Sequence, residues 1–584
     1  MKKIVIGLSL LVVALAVTVL VNQKEGSTGL SLLSAIKGDN GRFEKLLSYV
    51  PNDTPYLIGN KKALPEAYMD KQIEKIQNLV NVFKDIITKE NNRTKVSTEM
   101  DFISNYYAHF MKAYKEDTLE SMGFEKGYRS VVYGYGFYPV VRSEIVDSKA
   151  FIETINRIAK ESNTSVEWES CGAYQCIKSD TEKSEFTATF VVKEKSIAFS
   201  FYNKNIQEEM LKHLSENKAV DKAYSIKKFD TLLAKNNFQG YGDGFVNLET
   251  LTHRLLSEFE AKLSEQEKAS FKRCSPIAVD LSKKMNQITF GTTELSTDKM
   301  SMSMIFNTDS NVSTSLKALT NKNLFTQRVN RPLFDLGINL NAQGLSQGLM
   351  ELANYVANEG EKYGCTEIKS QALRQGAAMA SMSIGMTLGQ FSQLYISMND
   401  FEMDKNAQMP KKVGANIQIG TANPASLIGM LKMFVPELAS LNIPATGEEV
   451  DLLKHAPKPV PPFITALTAS MTDKVIALRL GDKMEMKAFK PKEHTLLWSQ
   501  IDNKKYSKII KMAMEQGKKA KKASLMNSPQ AEQAQYEAMM KDLEKNDAKV
   551  KKLLETLYQS DAVSSQSIYV DDRGLVMEFS QRED

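Results

Sequence analysis

The chain has 584 residues, 42% hydrophobic and 25% charged, which is too apolar for disorder and ordinary for a folded protein. A single core is not expected at this length, so two or more domains are. The net charge of +5, from 75 basic and 70 acidic residues, lacks the strongly basic balance of a nucleic-acid binder, and no nucleic-acid partner is expected.

The first residues read MKKIVIGLSLLVVALAVTVLV, where Lys2 and Lys3 precede an uncharged, mostly branched run from Ile4 to Val21. A secretory apolar region spans about 7–15 residues and a membrane helix about 17–25, and this run lies at their boundary. Ala14 and Ala16 form a small-x-small site, but the apolar stretch continues beyond it. Residues 1–23 are therefore read as an uncleaved signal-anchor, with a cleaved signal peptide as the alternative. No cysteine follows the run, so a lipoprotein is not expected. Lysines before the span put the rest of the chain outside, on the periplasmic side of the inner membrane, or free in the periplasm after cleavage. Residues 24–45 are small and polar and read as a tether.

Two α+β units are expected next, over residues 46–325 and 326–584. The first opens with LLSYVPNDTPYLIGN, in which Pro51 and Pro55 bracket an Asn-Asp-Thr turn before a short strand. A helical region from Leu64 to about Tyr114 follows. Then a strand-like run gives way to a helix four times, at Asp147, Asn247, Asn341 and Asn423. Each polar residue suits an N-cap, and Pro424 suits the first helical position. Phe151, Leu251, Leu345 and Leu427 stand four residues on, and Ile155, Leu255, Leu349 and Leu431 eight residues on, one apolar stripe per helix. The recurrence fits two duplicated units with two strand–helix elements each, or four independent junctions.

Hairpin signals lie between these elements: FTATFVVKE with KSIAFSFYN, NQITFGTTELS with DKMSMSMIFN, FITALTASM with KVIALRL, and SQSIYV with GLVMEFS. Hairpins and helices in this balance predict an α+β fold with antiparallel sheets, not a doubly wound parallel sheet. Residues 499–558 read as a lysine-rich helical excursion before the last two strands return.

The segment Pro51-Asn52-Asp53-Thr54-Pro55, followed by repeated strand–(Asp/Asn)–helix elements, resembles a family of uncharacterised exported bacterial envelope proteins whose domains begin near a Pro-x-Asp-Thr-Pro motif. The resemblance covers residues 46 to about 490 and implies the envelope address and the α+β fold. It carries no activity with it.

Four cysteines suit an oxidising compartment. Cys171 and Cys176 flank Gly-Ala-Tyr-Gln at what reads as a hairpin tip, and Cys274 and Cys365 remain as a long-range pair; the alternative is four free thiols. The spacing is not that of a zinc site, and the five histidines, at 109, 213, 253, 455 and 494, are scattered, so neither metal nor cofactor is expected.

Gly344-Leu345-Ser346-Gln347-Gly348 matches the GxSxG pattern of serine hydrolases, with His455 and His494 downstream. Asn341 as a cap would place Ser346 in the second helical turn and not on a strained elbow, so the pattern is kept only as an alternative. Residues 373–398 carry Met379, Met382 and Met386 at helical spacing. They read either as a packed core helix running into a strand or as one wall of a groove for an apolar ligand or partner. Lys504, Lys505, Lys508, Lys511, Lys518, Lys519, Lys521 and Lys522 form a basic stretch able to rest on anionic headgroups, or a solvated face. The reading that results is a membrane-tethered, non-catalytic envelope protein that binds a partner or an apolar ligand. The rivals are a hydrolase at Ser346 and a purely structural tethered domain.

Overall fold

A computed structural model describes residues 40–70, 94–179, 185–216, 222–323, 325, 327–403, 410–434, 441–455, 459–526 and 562–583. The expected signal-anchor lies outside them. The fold is α+β with antiparallel sheets, as the alternation of hairpins and helices predicts. The chain divides into two compact units. Of the described residues, one holds those up to Ser257 with Gln287–Ser303; the other holds Glu258–Asn286, those from Met304 to Met526 and the C-terminal strands.

The first unit contains α1 (Asn40–Leu47), β1 (Tyr56–Gly59), α2 (Thr94–Lys115), β2 (Ser130–Tyr135), β3 (Tyr138–Glu144) and α3 (Ser148–Glu161). It continues through β4 (Glu169–Cys171), β5 (Tyr174–Ser179), β6 (Phe186–Val192), β7 (Ser196–Asn203), α4 (Gln207–Ser215), α5 (Ile226–Asn236), β8 (Asp243–Asn247) and α6 (Leu248–Glu260). After α7 (Glu265–Lys284), which packs in the second unit, come β9 (Gln287–Leu295) and the start of β10 (Lys299–Asn307). Helix α1 begins inside the stretch read as a tether. Phe43 and Leu46 are buried in it, and Phe43 meets Phe229 of α5 at 5.1 Å between ring centres, so its polar residues are only its outer face.

The strand order is β4-β5-β6-β7-β3-β2-β1-β8-β9-β10. One face packs on α2 and α3 through Phe110, Phe124, Phe151, Ile155, Phe190 and Phe199. Residues of opposite parity, among them Val140, Arg142, Ala198 and Tyr202, face the other way. In the Pro51–Pro55 turn the Thr54 hydroxyl accepts from Gly134 N at 3.0 Å and donates to a carbonyl, of Tyr56 or Gly134. Pro55 lies against Gly134, where a Cβ would stand 2.6 Å from the ring. The turn thus clamps β1 to β2.

The second unit contains α8 (Ser310–Lys317), β11 (Gln327–Val329), β12 (Phe334–Asn339), α9 (Ala342–Tyr363), α10 (Ser370–Leu388), β13 (Gln393–Met403), β14 (Pro410–Gly420) and α11 (Pro424–Phe434). It ends with β15 (Val450–Asp451), β16 (Leu467–Met471), β17 (Val475–Leu480), β18 (Met486–Ala488), β19 (Thr495–Asp502), α12 (Asn503–Met526), β20 (Ala562–Asp571) and β21 (Gly574–Glu583). Its strand order is β15-β16-β17-β14-β13-β12-β19-β20-β21. Position by position this repeats β5-β6-β7-β3-β2-β1-β8-β9-β10, in space and in chain order alike. Residues 499–502, read as the start of the lysine-rich excursion, belong to β19, and 527–561 lie outside the described residues.

All four expected caps form. Asp147 accepts from Lys149 N at 2.8 Å, Asn247 from Thr250 N at 2.9 Å, Asn341 from Gln343 N at 3.1 Å and Asn423 from Ser426 N at 3.0 Å. A fifth stands at Asp502, which accepts from Lys505 N at 3.0 Å at the head of α12.

Candidate functional site

Helices α9 and α10 join β12 to β13 as an antiparallel hairpin, and most of the sequence leads converge on it. Small residues let the two helices approach closely. The Ser346 hydroxyl donates to the Ser381 carbonyl at 3.1 Å, and the Ser381 hydroxyl donates back to the Ser346 carbonyl at 3.0 Å. At the other end the Ser370 hydroxyl donates to the Ala357 carbonyl at 3.1 Å. Arg374 grips Glu361 and Asn358 at 2.8 and 2.7 Å. Gly344 lies so close to α8 that a Cβ would stand 1.9 Å from the Ala318 carbonyl oxygen. The glycine of the GxSxG pattern is therefore a packing residue, and the serine is a helix-to-helix staple in the second turn of α9.

Helix α9 ends on Gly364 in the left-handed region at φ 67°, and Cys365 follows directly. It is bonded to Cys274 of α7, with 4.9 Å between the Cα atoms; Cys171 and Cys176 form the second disulfide, at the β4–β5 turn. No free thiol exists among the described residues. The pairing is that of a protein folded in an oxidising, extracytoplasmic compartment. Glu367 lies beside the long bridge, its carboxyl held below the usual range chiefly by the Ser270 hydroxyl. Cys274, Cys365 and Glu367 form a cluster of metal-ligand type, but its sulfurs are bonded to each other and are not thiolates.

The outer face of α10 is apolar and open to solvent. Met379, Met382 and Met386 are 68, 64 and 75% exposed, and Leu352 of α9 is 55% exposed. The stretch does run from a helix into a strand, β13, with Tyr395 and Ser397 buried, but the three methionines are not part of a packed core. Ser381 of α10 faces α9 and Ala377 is buried, while the three thioethers are left exposed. Positions 379, 382 and 386 stand three and then four residues apart, the spacing on which a second helix seats its side chains.

The basic stretch lies mostly in α12. Lys504 and Lys508 are exposed and Lys511 is half-buried. Lys505 is a clasp, its ammonium donating to the Arg331 carbonyl at 2.7 Å and to Asn399 at 3.1 Å. Lys518, Lys519, Lys521 and Lys522 fall within α12, but their side chains lie outside the described residues.

The histidines do not gather. His494 is hydrogen-bonded to Thr320, His109 to Glu161 and His213 to Tyr133, while His253 and His455 are exposed. Among the described residues no helix is long and apolar enough to cross a membrane. Sequence reading missed Ser381 and Leu352; the Ser-x-x-x-small pattern and the heptad-like spacing were the available signals. Comparison with protein-family models, curated proteins and solved structures finds no match to this chain.

Proposed function

We propose that this is a membrane-tethered protein of the periplasmic side of the inner membrane that acts by binding, and that the methionine face of α10 receives a helical segment of a partner protein. The observation that carries the reading is the exposure of Met379, Met382 and Met386 on a helix held rigidly by its neighbour. Flexible thioethers adapt to varied apolar surfaces, and a helix in register on such a stripe buries them without a cavity. A carrier of an apolar ligand is less well supported, because a stripe on a convex helix does not enclose an acyl chain. A hydrolase is less well supported still, since the Ser346 hydroxyl already donates to a carbonyl. The expected address rests on the N-terminal sequence, on the resemblance to exported envelope proteins and on the two disulfides.

The test is photo-crosslinking in the envelope from a benzophenone amino acid at position 382. The expected adduct maps to apolar positions of one helix in one partner, and it disappears when Met379, Met382 and Met386 are all changed to Gln. Adducts with lipid alone would favour the carrier. Absence of any adduct would leave a purely structural domain.

A further inference from the structure

We infer that the first unit binds a small anionic amphiphile, a carboxylate or phosphate carrying a short apolar body, in the cavity between α1, the end of β3 and the β6–β7 turn. The cavity measures about 610 Å³ and is lined by Leu46, Tyr49 and Ile145 as well as by charged groups. That volume suits a small organic ligand. The site lies in the other unit from the methionine face and does not depend on it.

The charges beneath the cavity call for an anion. Lys193, on the β6–β7 turn, is only 3% exposed, and Arg142, on β3, is fully buried. Every described hydrogen-bond partner of the two is neutral. Arg142 Nε donates to the Tyr133 hydroxyl at 3.0 Å and Nη2 to the His213 carbonyl at 2.6 Å. Its guanidinium lies 4.2 Å from the centre of the Tyr49 ring, and Nη1 has no hydrogen-bond partner. The Tyr133 hydroxyl, already accepting from Arg142, donates its own proton to His213 Nε2 at 2.6 Å. Lys193 Nζ donates to the Glu216 carbonyl and stands 5.0 Å from the same Tyr49 ring.

The carboxylates of the cavity do not neutralise this pair. Glu144 accepts from Arg42 at 3.1 and 2.7 Å and from Arg129 N at 2.8 Å, and Glu125 also pairs with Arg42. Two buried cations with no carboxylate hydrogen-bonded to either are costly, the Glu216 carboxyl acting on Lys193 only through space. A ligand oxyanion entering beside Lys193 supplies the missing partner while its tail meets Leu46 and Ile145.

Protonation follows from the same arrangement. Burial first, and then Arg142, push the Lys193 ammonium down to about 7. Burial, Arg142 and Lys193 push His213 down to about 3, so its ring is neutral. The other groups around Lys193 are Tyr49 after α1, Tyr174 on β5, Glu144 at the end of β3, Glu216 after α4, and Glu194 and Lys195 on its own turn. An anion favours charged Lys193, so binding takes up a proton near neutral pH and weakens as pH rises.

The experiment is calorimetric titration of the full chain with hexyl phosphate, with inorganic phosphate, and with vesicles containing phosphatidylglycerol. Hexyl phosphate is expected to bind at pH 6.5, about tenfold more weakly at pH 8, and about tenfold more weakly to Lys193→Met. Binding of vesicles that also depends on Lys193 would assign the ligand to a lipid headgroup, and its absence to a free metabolite. Inorganic phosphate binding as tightly as hexyl phosphate would overturn the amphiphile, and no saturable binding of any probe would overturn the site. Should Lys193→Met fail to fold, protection of Lys193 in the unaltered protein from amine acylation by hexyl phosphate, read by mass spectrometry, decides the question; equal labelling with and without the probe would refute it.

Discussion

Asp335 is buried on β12, with Ser397 of β13 and Gln500 of β19 directly across from it on either side. Its Oδ1, the Ser397 hydroxyl, Gln500 Oε1 and Trp498 Nε1 have no hydrogen-bond partner among the described residues. Burial is the main reason that the Asp335 carboxyl is pushed up to about 7. The folded chain therefore holds a proton that the unfolded chain releases above about pH 4. The stability this proton contributes is complete in acid and is lost as pH rises from about 4 through 7, on the order of 4 kcal/mol in the limit. The urea midpoint is expected to fall between pH 5 and pH 8, and Asp335→Asn is expected to flatten that fall and to be the more stable protein at pH 8. A midpoint that rises with pH would contradict the assignment. Asp243, also raised to about 7 by burial, accepts from Gly240 N and Thr292 N and accounts for a residual slope. None of this was legible in the sequence, where Asp335 is one acid in an alternating strand and its neighbours lie 62 and 165 positions away along the chain.

At the scale of elements, local chemistry reads well. Hairpins declare themselves by period-two alternation around charged turns, and N-caps by a polar residue before an apolar stripe. Asp502 obeys the same rule, with Tyr506 and Ile510 four and eight residues on, but the surrounding lysines masked it. The apolar stripe of α3 is buried as expected, at Phe151 and Ile155. The stripe of α10 is not, because a helix has two sides and periodicity does not say which one finds a partner. For the α9–α10 pair the reciprocal serine bonds predict coupling. Ser346→Ala and Ser381→Ala are each expected to cost about 1 kcal/mol, and the double variant less than their sum. Strict additivity in thermal melts would mean that the two hydroxyls act independently. Labelling by a fluorophosphonate that vanishes in Ser346→Ala would instead revive the nucleophile.

Across the whole molecule, each unit runs its strands in the same order, from β5 to β10 and from β15 to β21, with helices inserted at matching places. The inserts differ in character. In the first unit α2, between β1 and β2, buries Phe102, Tyr106 and Phe110, whereas α9 and α10, between β12 and β13, meet through Ser346 and Ser381 and through Ser370 and Ala357. The second unit is cross-linked between α7 and the end of α9 over a separation of 91 residues, the first over 5. In the chain-entropy account the long bridge stabilises by about 4–5 kcal/mol and the short one by about 2. Changing Cys274 and Cys365 to Ser is thus expected to lower the denaturant midpoint more than changing Cys171 and Cys176, and the reverse order would mean that native-state strain outweighs loop closure.

By itself the sequence determined the α+β class, the hairpins and the caps, because each depends on residues close in the chain. The cysteines it offered as two pairs or as four free thiols, and the fold decided for the pairs. Tertiary structure alone decided that Ser346 is spent on a helix contact and that the methionines face outward. It also decided that Arg142 and Lys193 share a buried floor around Tyr49. Those outcomes turn on which side of an element is covered and on which distant charges meet, and no local pattern encodes either.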